Sequence, residues 1–158
     1  APQVLVQRLA EEKAKKVSRV MHGAEDALII GSDQVAVCNG EILGKPHTHE
    51  RAVEQLLSFV GQKVTFFTGL SLYDAREDIA QTVCEPFYVT FRNDLTEAEI
   101  SRYVELEQPL NCAGSFKSEG LGTALFAELS GSDPNSLIGL PTIKLLKLLR
   151  NVGVNPLT

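Results

Sequence analysis

Apolar positions in the first stretch fall at Val4, Leu5, Leu9 and Ala10. That is the three-to-four spacing of a helix, with Pro2 suited to its first turn and Gly23 as its stop. The run ALIIGSDQVAVCNGEILG is then apolar, β-branched and broken by Asn39-Gly40, which predicts two short strands joined by a tight turn. Ala27 to Ile30 is apolar on both faces. Such a segment belongs inside a sheet covered on two sides, with the polar triplet Ser32-Asp33-Gln34 at its end.

Thr48 begins a second helix through about Phe59. Ala52, Val53, Leu56 and Leu57 face inward, and Glu50, Arg51, Glu54 and Gln55 face water. Two long β-rich runs, KVTFFTGLSLYDA and IAQTVCEPFYVTFR, flank the polar Arg76-Glu77-Asp78 and read as an antiparallel hairpin, with Pro86 marking a bulge or an edge. Thr96 and Glu99 have the spacing of a capping box, so a third helix runs from there to about Glu107 and stops at Pro109. Residues 113–122, with three glycines, read as a loop, and TALFAELSG as another strand. Pro141 opens an apolar last helix, Thr142 to Val152. Helices alternate with strands and no repeat or linker interrupts them. The pattern predicts one α/β domain over residues 1–158, a mixed twisted sheet with flanking helices, drawn out into two lobes.

Composition narrows the function classes. With 158 residues, 44% hydrophobic and 22% charged, the chain is long enough to bury a core without disulfide or structural metal. No apolar run approaches the roughly 20 residues of a membrane span, and the start has no signal-peptide pattern, so a cytoplasmic location and no membrane partner are expected. A net charge of -5 with no basic stripe argues against nucleic-acid binding. A small anionic ligand would need a local cationic pocket or a metal. Cys38, Cys84 and Cys112 form no CxxC motif and read as reduced, mostly buried thiols. His22, His47 and His49 lack metal-pair spacing on a helix and read as surface residues.

Asp33 is the sharpest polar interruption. A carboxylate at a strand end either stays ionised through a metal, a cation or backbone N–H donors, or serves as a local turn cap. Lys45, in Gly44-Lys45-Pro46, follows the Asn39-Gly40 hairpin that would turn it back toward Asp33. It is either a phosphate-binding ammonium or an ordinary surface lysine, and the spacing is not that of a P-loop. The loop Ala113 to Gly120 offers Lys117, Glu119, two hydroxyls and backbone amides, a set able to read a nucleobase, with Phe116 either stacked on the base or packed in the core. Gly131-Ser132-Asp133-Pro134-Asn135 is either an anion site at a helix N-terminus or the turn that leads into the helix.

Together IIGSDQVAVCNGEILGKP, VTFFTGLSLYD, VTFRNDLTEAEISRYVELEQPLNCAGSFKSEG and GSDPNSLIGLPTIKLLKLLR resemble the Maf family of nucleoside triphosphate pyrophosphatases over almost the whole chain. SFKSEG with SDQ resembles the YceF-type subgroup, whose members act on 7-methylguanosine triphosphate. The resemblance implies a fold like that of the inosine triphosphate pyrophosphatases and hydrolysis of an NTP to NMP and pyrophosphate with a divalent metal, Mg²⁺ or Mn²⁺. It puts Asp33 on the proposed proton acceptor, with metal ligation as a competing role. Lys45 and Lys117 fall on phosphate-neutralising positions, and Gln34 and Glu119 on positions tied to substrate choice. An acidic Glu119 suits a base carrying a fixed positive charge. Relatives also suggest a homodimer.

The family pattern begins with a strand, an SxSPRR-type phosphate loop and an acidic DE motif near the first helix, none of which occurs in this sequence. The expectation is weak or no turnover by the chain as it stands, and an active enzyme where that segment is present. The contrasting expectation, from a different functional class, is a nucleotide-binding regulatory module in cell division without significant turnover.

Overall fold

A computed structural model describes residues 1–158. In chain order the elements are α1 (Pro2–Val20), β1 (Leu28–Cys38), β2 (Glu41–Ile42), α2 (His49–Ser58), β3 (Lys63–Asp74), β4 (Ile79–Phe91) and α3 (Glu97–Glu107). Two 3-10 turns follow at Ala113–Ser115 and Leu121–Leu125, then β5 (Phe126–Gly131), a one-turn α4 (Asn135–Ile138) and α5 (Thr142–Asn151). The α/β class expected from the sequence is present. The strands form one sheet in the order β2-β1-β3-β4-β5. Its neighbours run antiparallel: β1 with β2 and β4 with β5 by register, and β3 with β4 through a four-residue connection. The Ala75 N–H donates to the Ala27 carbonyl at 3.1 Å, tying the end of β3 to the start of β1.

β1 departs from its expected form in two ways. It continues without a break through Gly31, Ser32, Asp33 and Gln34 to Cys38, so the polar triplet lies in mid-strand rather than at its end. Ile29 is buried, but Leu28 and Ile30 are 38% and 47% exposed, so the segment is covered on one face only. Four apolar residues in a row concealed an ordinary alternation of period two. The 123–131 segment also differs: Thr123 to Leu125 belong to a 3-10 turn and the strand begins at Phe126.

Pro86 lies on β4 just outside the stretch Phe87–Phe91 that β5 pairs, where its missing N–H costs no ladder bond on that side. The ladder irregularity falls elsewhere, between Thr90 and Phe91. The capping box at Thr96 and Glu99 is complete, and α3 ends with Gln108 in the left-handed region ahead of Pro109.

By contacts the chain forms two compact units, residues 1–34, 67–86 and 133–158 in one, and 35–66 and 87–132 in the other. In the first, Val6, Ala10 and Ala14 make a fully buried stripe along α1. These small residues meet equally small ones. A Cβ on Gly31 would lie 2.1 Å from the Ala10 carbonyl oxygen, and one on Gly69 would lie 2.1 Å from that of Val6. Helix and sheet backbones therefore touch at Gly31 and Gly69, which only glycine permits. Leu70, Leu72, Leu145 and Leu148 form a second cluster that seats α5 on β3. In the other unit the core is aromatic. Phe116 meets Phe66, Phe91 and Phe126 edge to face at centroid distances of 5.5, 5.2 and 5.4 Å.

Candidate active site

The close approach at Gly31 sets the site in the first unit. Because α1 lies on β1 there, Lys13, one residue before the buried Ala14, reaches the next residues of the strand. Its Nζ donates to Asp33 Oδ1 at 2.6 Å and to the Ser32 carbonyl at 3.3 Å. Asp33 keeps 16% of its side-chain surface exposed and Lys13 keeps 58%, so the pair is half open to water.

The cation on Asp33 is thus Lys13, in place of the Lys45 that the hairpin was expected to turn toward it. The sequence pattern did not single out Lys13, which stands 20 residues before Asp33. The available signal was its place beside the apolar stripe of α1.

The side chains on either side of Asp33 are anchored to the segment that precedes α5. Ser32 Oγ donates to the Gly139 carbonyl at 2.8 Å. Gln34 Nε2 donates to the Ser136 carbonyl at 2.7 Å and to Thr68 Oγ1 at 2.9 Å. Thr68 in turn donates to the Ser136 carbonyl at 3.3 Å and is fully buried.

The segment itself is fixed by Asp133, 1% exposed, whose carboxylate accepts from the Asn135 N–H at 2.9 Å and the Ile143 N–H at 2.8 Å. Burial works against its charge, and the bonds from Ile143, Asn135 and Thr142 outweigh that and hold the carboxyl below its usual range. The N-terminus of α5 is therefore capped from within, which makes 131–135 the turn leading into the helix rather than an anion site.

The remaining sequence candidates lie in the second unit. Lys45 is exposed, and its segment is held at both ends: the His47 N–H donates to the Leu110 carbonyl at 2.9 Å and the Gly114 N–H to the Gly44 carbonyl at 3.3 Å. Gln55 joins the same junction, donating to the Gly44 carbonyl and accepting from Ser115 Oγ. Further along the loop, the Lys117 N–H donates to Tyr103 Oη at 2.8 Å, and Glu107 accepts from the Leu121 N–H. Glu119 is exposed, with Ser118 Oγ 3.3 Å away. Burial raises the Tyr103 hydroxyl to about 12.

The Cys112 thiol is also pushed up, first by burial. Lys117 and Lys45 pull it down and Glu119 and Glu107 push it up. Lys45, Lys117 and Glu119 thus all lie near one half-buried thiol. Phe116, only 6% exposed among its three aromatic neighbours, packs in the core and is not a base-stacking surface. The three cysteines are free thiols, and burial raises each of them.

No three His, Cys, Asp or Glu side chains converge to hold a metal ion. His49 Nε2 lies 3.3 Å from Ser101 Oγ and has no histidine partner. No helix is long and apolar enough to cross a membrane.

The first unit thus holds an Asp33–Lys13 pair between β1 and α1, flanked by an anchored serine and glutamine, and the second carries Lys45, Lys117 and Glu119 near Cys112, in a protein of the α/β class. The chain belongs to the Maf family: the family model described as Maf-like protein matches residues 1–152. It is similar to proteins named 7-methyl-GTP pyrophosphatase in several bacteria. The one from Idiomarina loihiensis is 59% identical over 157 residues, covering 99% of this chain and 78% of the relative. That from Colwellia psychrerythraea is 57% identical, covering 99% and 76%, and that from Vibrio cholerae is 56% identical, covering 98% and 77%.

Proposed function

We propose that this chain is a nucleoside triphosphate pyrophosphatase that hydrolyses 7-methyl-GTP to 7-methyl-GMP and pyrophosphate. The observation that carries the reading is the set of relatives at 55–59% identity, spanning 96–99% of this chain, that bear that name.

In this reading Asp33 accepts a proton from the attacking water. The water oxygen bonds to the α-phosphorus, the bond from that phosphorus to the α–β bridging oxygen breaks, and pyrophosphate leaves with the electron pair. Lys13 supports the assignment: by binding Oδ1 it orients the carboxylate and leaves Oδ2 to do chemistry. Lys45 and Lys117 neutralise phosphate charge, while Gln34 and Glu119 serve base recognition. A carboxylate at position 119 suits the fixed positive charge of an N7-methylated guanine.

In the competing role Asp33 would instead hold a Mg²⁺ or Mn²⁺ ion through Oδ2, the oxygen that Lys13 does not bind. Bound there, such an ion would polarise the phosphate oxygens and the attacking water.

The test is pyrophosphate release from a panel of nucleoside triphosphates with Mg²⁺ or Mn²⁺, and after chelation. Preference for 7-methyl-GTP and a loss of about 10²- to 10⁴-fold in Asp33→Asn are expected. Tight nucleotide binding without pyrophosphate release would replace the enzyme with a binding module.

A further inference from the structure

Gln34 meets an asymmetric set of partners. The Ser136 carbonyl can only accept, so the group facing it must be the amide NH₂ and not the amide oxygen. The second amide hydrogen goes to Thr68 Oγ1, which can accept it because the threonine spends its own hydrogen on the same Ser136 carbonyl. Both donors of Gln34 are therefore consumed within the protein. What the side chain has left to offer is Oε1, an acceptor.

The lock itself is rigidly held. Thr68 and Ser136 are fully buried, Ser136 Oγ donates to the Asp133 carbonyl at 2.6 Å, and the Asp133 carboxylate ties both ends of the segment.

We propose that Thr68 and the Ser136 carbonyl are positioning groups that fix the polarity of Gln34, so that this glutamine reads the nucleobase solely as a hydrogen-bond acceptor. The inference rests on the 7-methyl-GTP reading above. Guanine offers N1–H and its 2-amino group as donors on one edge, whereas a base presenting only acceptors there would leave both oxygens unpaired.

Two measurements test it. The first needs no substrate. In ¹⁵N-labelled protein the Gln34 side-chain amide protons, identified by their loss in Gln34→Leu, should exchange with water far more slowly than those of the exposed Gln3. Exchange as fast as at Gln3 overturns the lock.

The second compares dissociation constants for 7-methyl-GTP and for inorganic tripolyphosphate. Thr68→Val should weaken 7-methyl-GTP about tenfold and tripolyphosphate less than twofold, and Thr68→Ser should restore binding. Gln34→Glu retains acceptors but cannot donate to Ser136, so it should lose at least as much. If instead it binds the cationic base as well as or better than glutamine, fixed polarity is refuted. Equal weakening of both ligands by Thr68→Val, or of neither, overturns base reading. A wild-type protein that does not distinguish 7-methyl-GTP from GTP sinks the substrate assignment alone, because the two share the N1–H and 2-amino edge, and base reading still stands or falls on the Thr68 comparison.

Discussion

Lys13 on α1 clasps Asp33 on β1 at 2.6 Å and the carbonyl of the preceding Ser32 at 3.3 Å. The ammonium thus fixes the direction of the carboxylate. Lys13→Met should lower kcat for pyrophosphate release by about 10²-fold, the scale seen when one preorganised donor is removed. Because the pair is half exposed, unfolding free energy should change by about 1 kcal/mol or less. Steady-state kinetics with urea denaturation of the same samples separates the two effects.

Gly31→Ala should act through packing. The added methyl would meet the Ala10 carbonyl oxygen, so α1 must move off the sheet. A loss of about 1–3 kcal/mol is expected, measured by urea denaturation. The displacement also withdraws Lys13 from Asp33, so turnover should fall even in molecules that remain folded. Gly44→Ala, where a Cβ meets nothing, is the control.

Asp133 should make stability depend on acid pH. Its folded-state pKa is depressed below the usual carboxylate value, so ionisation contributes stability above the unfolded value of about 4. That contribution is lost as pH falls through the folded value. Asp133→Ala should cost about 2 kcal/mol at pH 7, as loss of a helix cap does. The gap between wild type and variant should then narrow below pH 4. Paired denaturation curves from pH 7 to pH 3 check this, and a gap that widens in acid contradicts it.

Lys144 on α5 reaches Glu85 on β4 at 2.5 Å and the Cys84 carbonyl at 2.8 Å, while Glu85 is only 2% exposed. Lys144→Met leaves a buried carboxylate without its cation and should cost about 3 kcal/mol. The double variant Lys144→Met with Glu85→Leu should recover most of that loss. A double-mutant cycle from urea denaturation measures the recovery.

Most helices were legible because their signals are local. Thr96 and Glu99 announce a capping box three residues apart, and Thr48 caps α2 by donation from the Arg51 N–H. β1 was harder because Ile29 and Ile30 are equally apolar although only one is buried, and burial is decided by neighbours the sequence does not show. Motif spelling brought out Asp33, Gln34, Lys45, Lys117 and Glu119. The partners of Asp33 and Gln34 stayed hidden, since Lys13 is 20 positions and Ser136 102 positions away. Phe116 was readable in either of two ways, and its ring contacts with Phe66, Phe91 and Phe126 decide for the core.

That buried ring also sets which part of the loop is free to vary. Phe116 stakes the loop into the interior immediately before Lys117, Ser118 and Glu119, so a firm root carries a polar tip. Changes at 118 and 119 leave the stake untouched and alter only the chemistry displayed, so under the proposed function random mutagenesis of this tip should retune ligand choice without dismantling the scaffold.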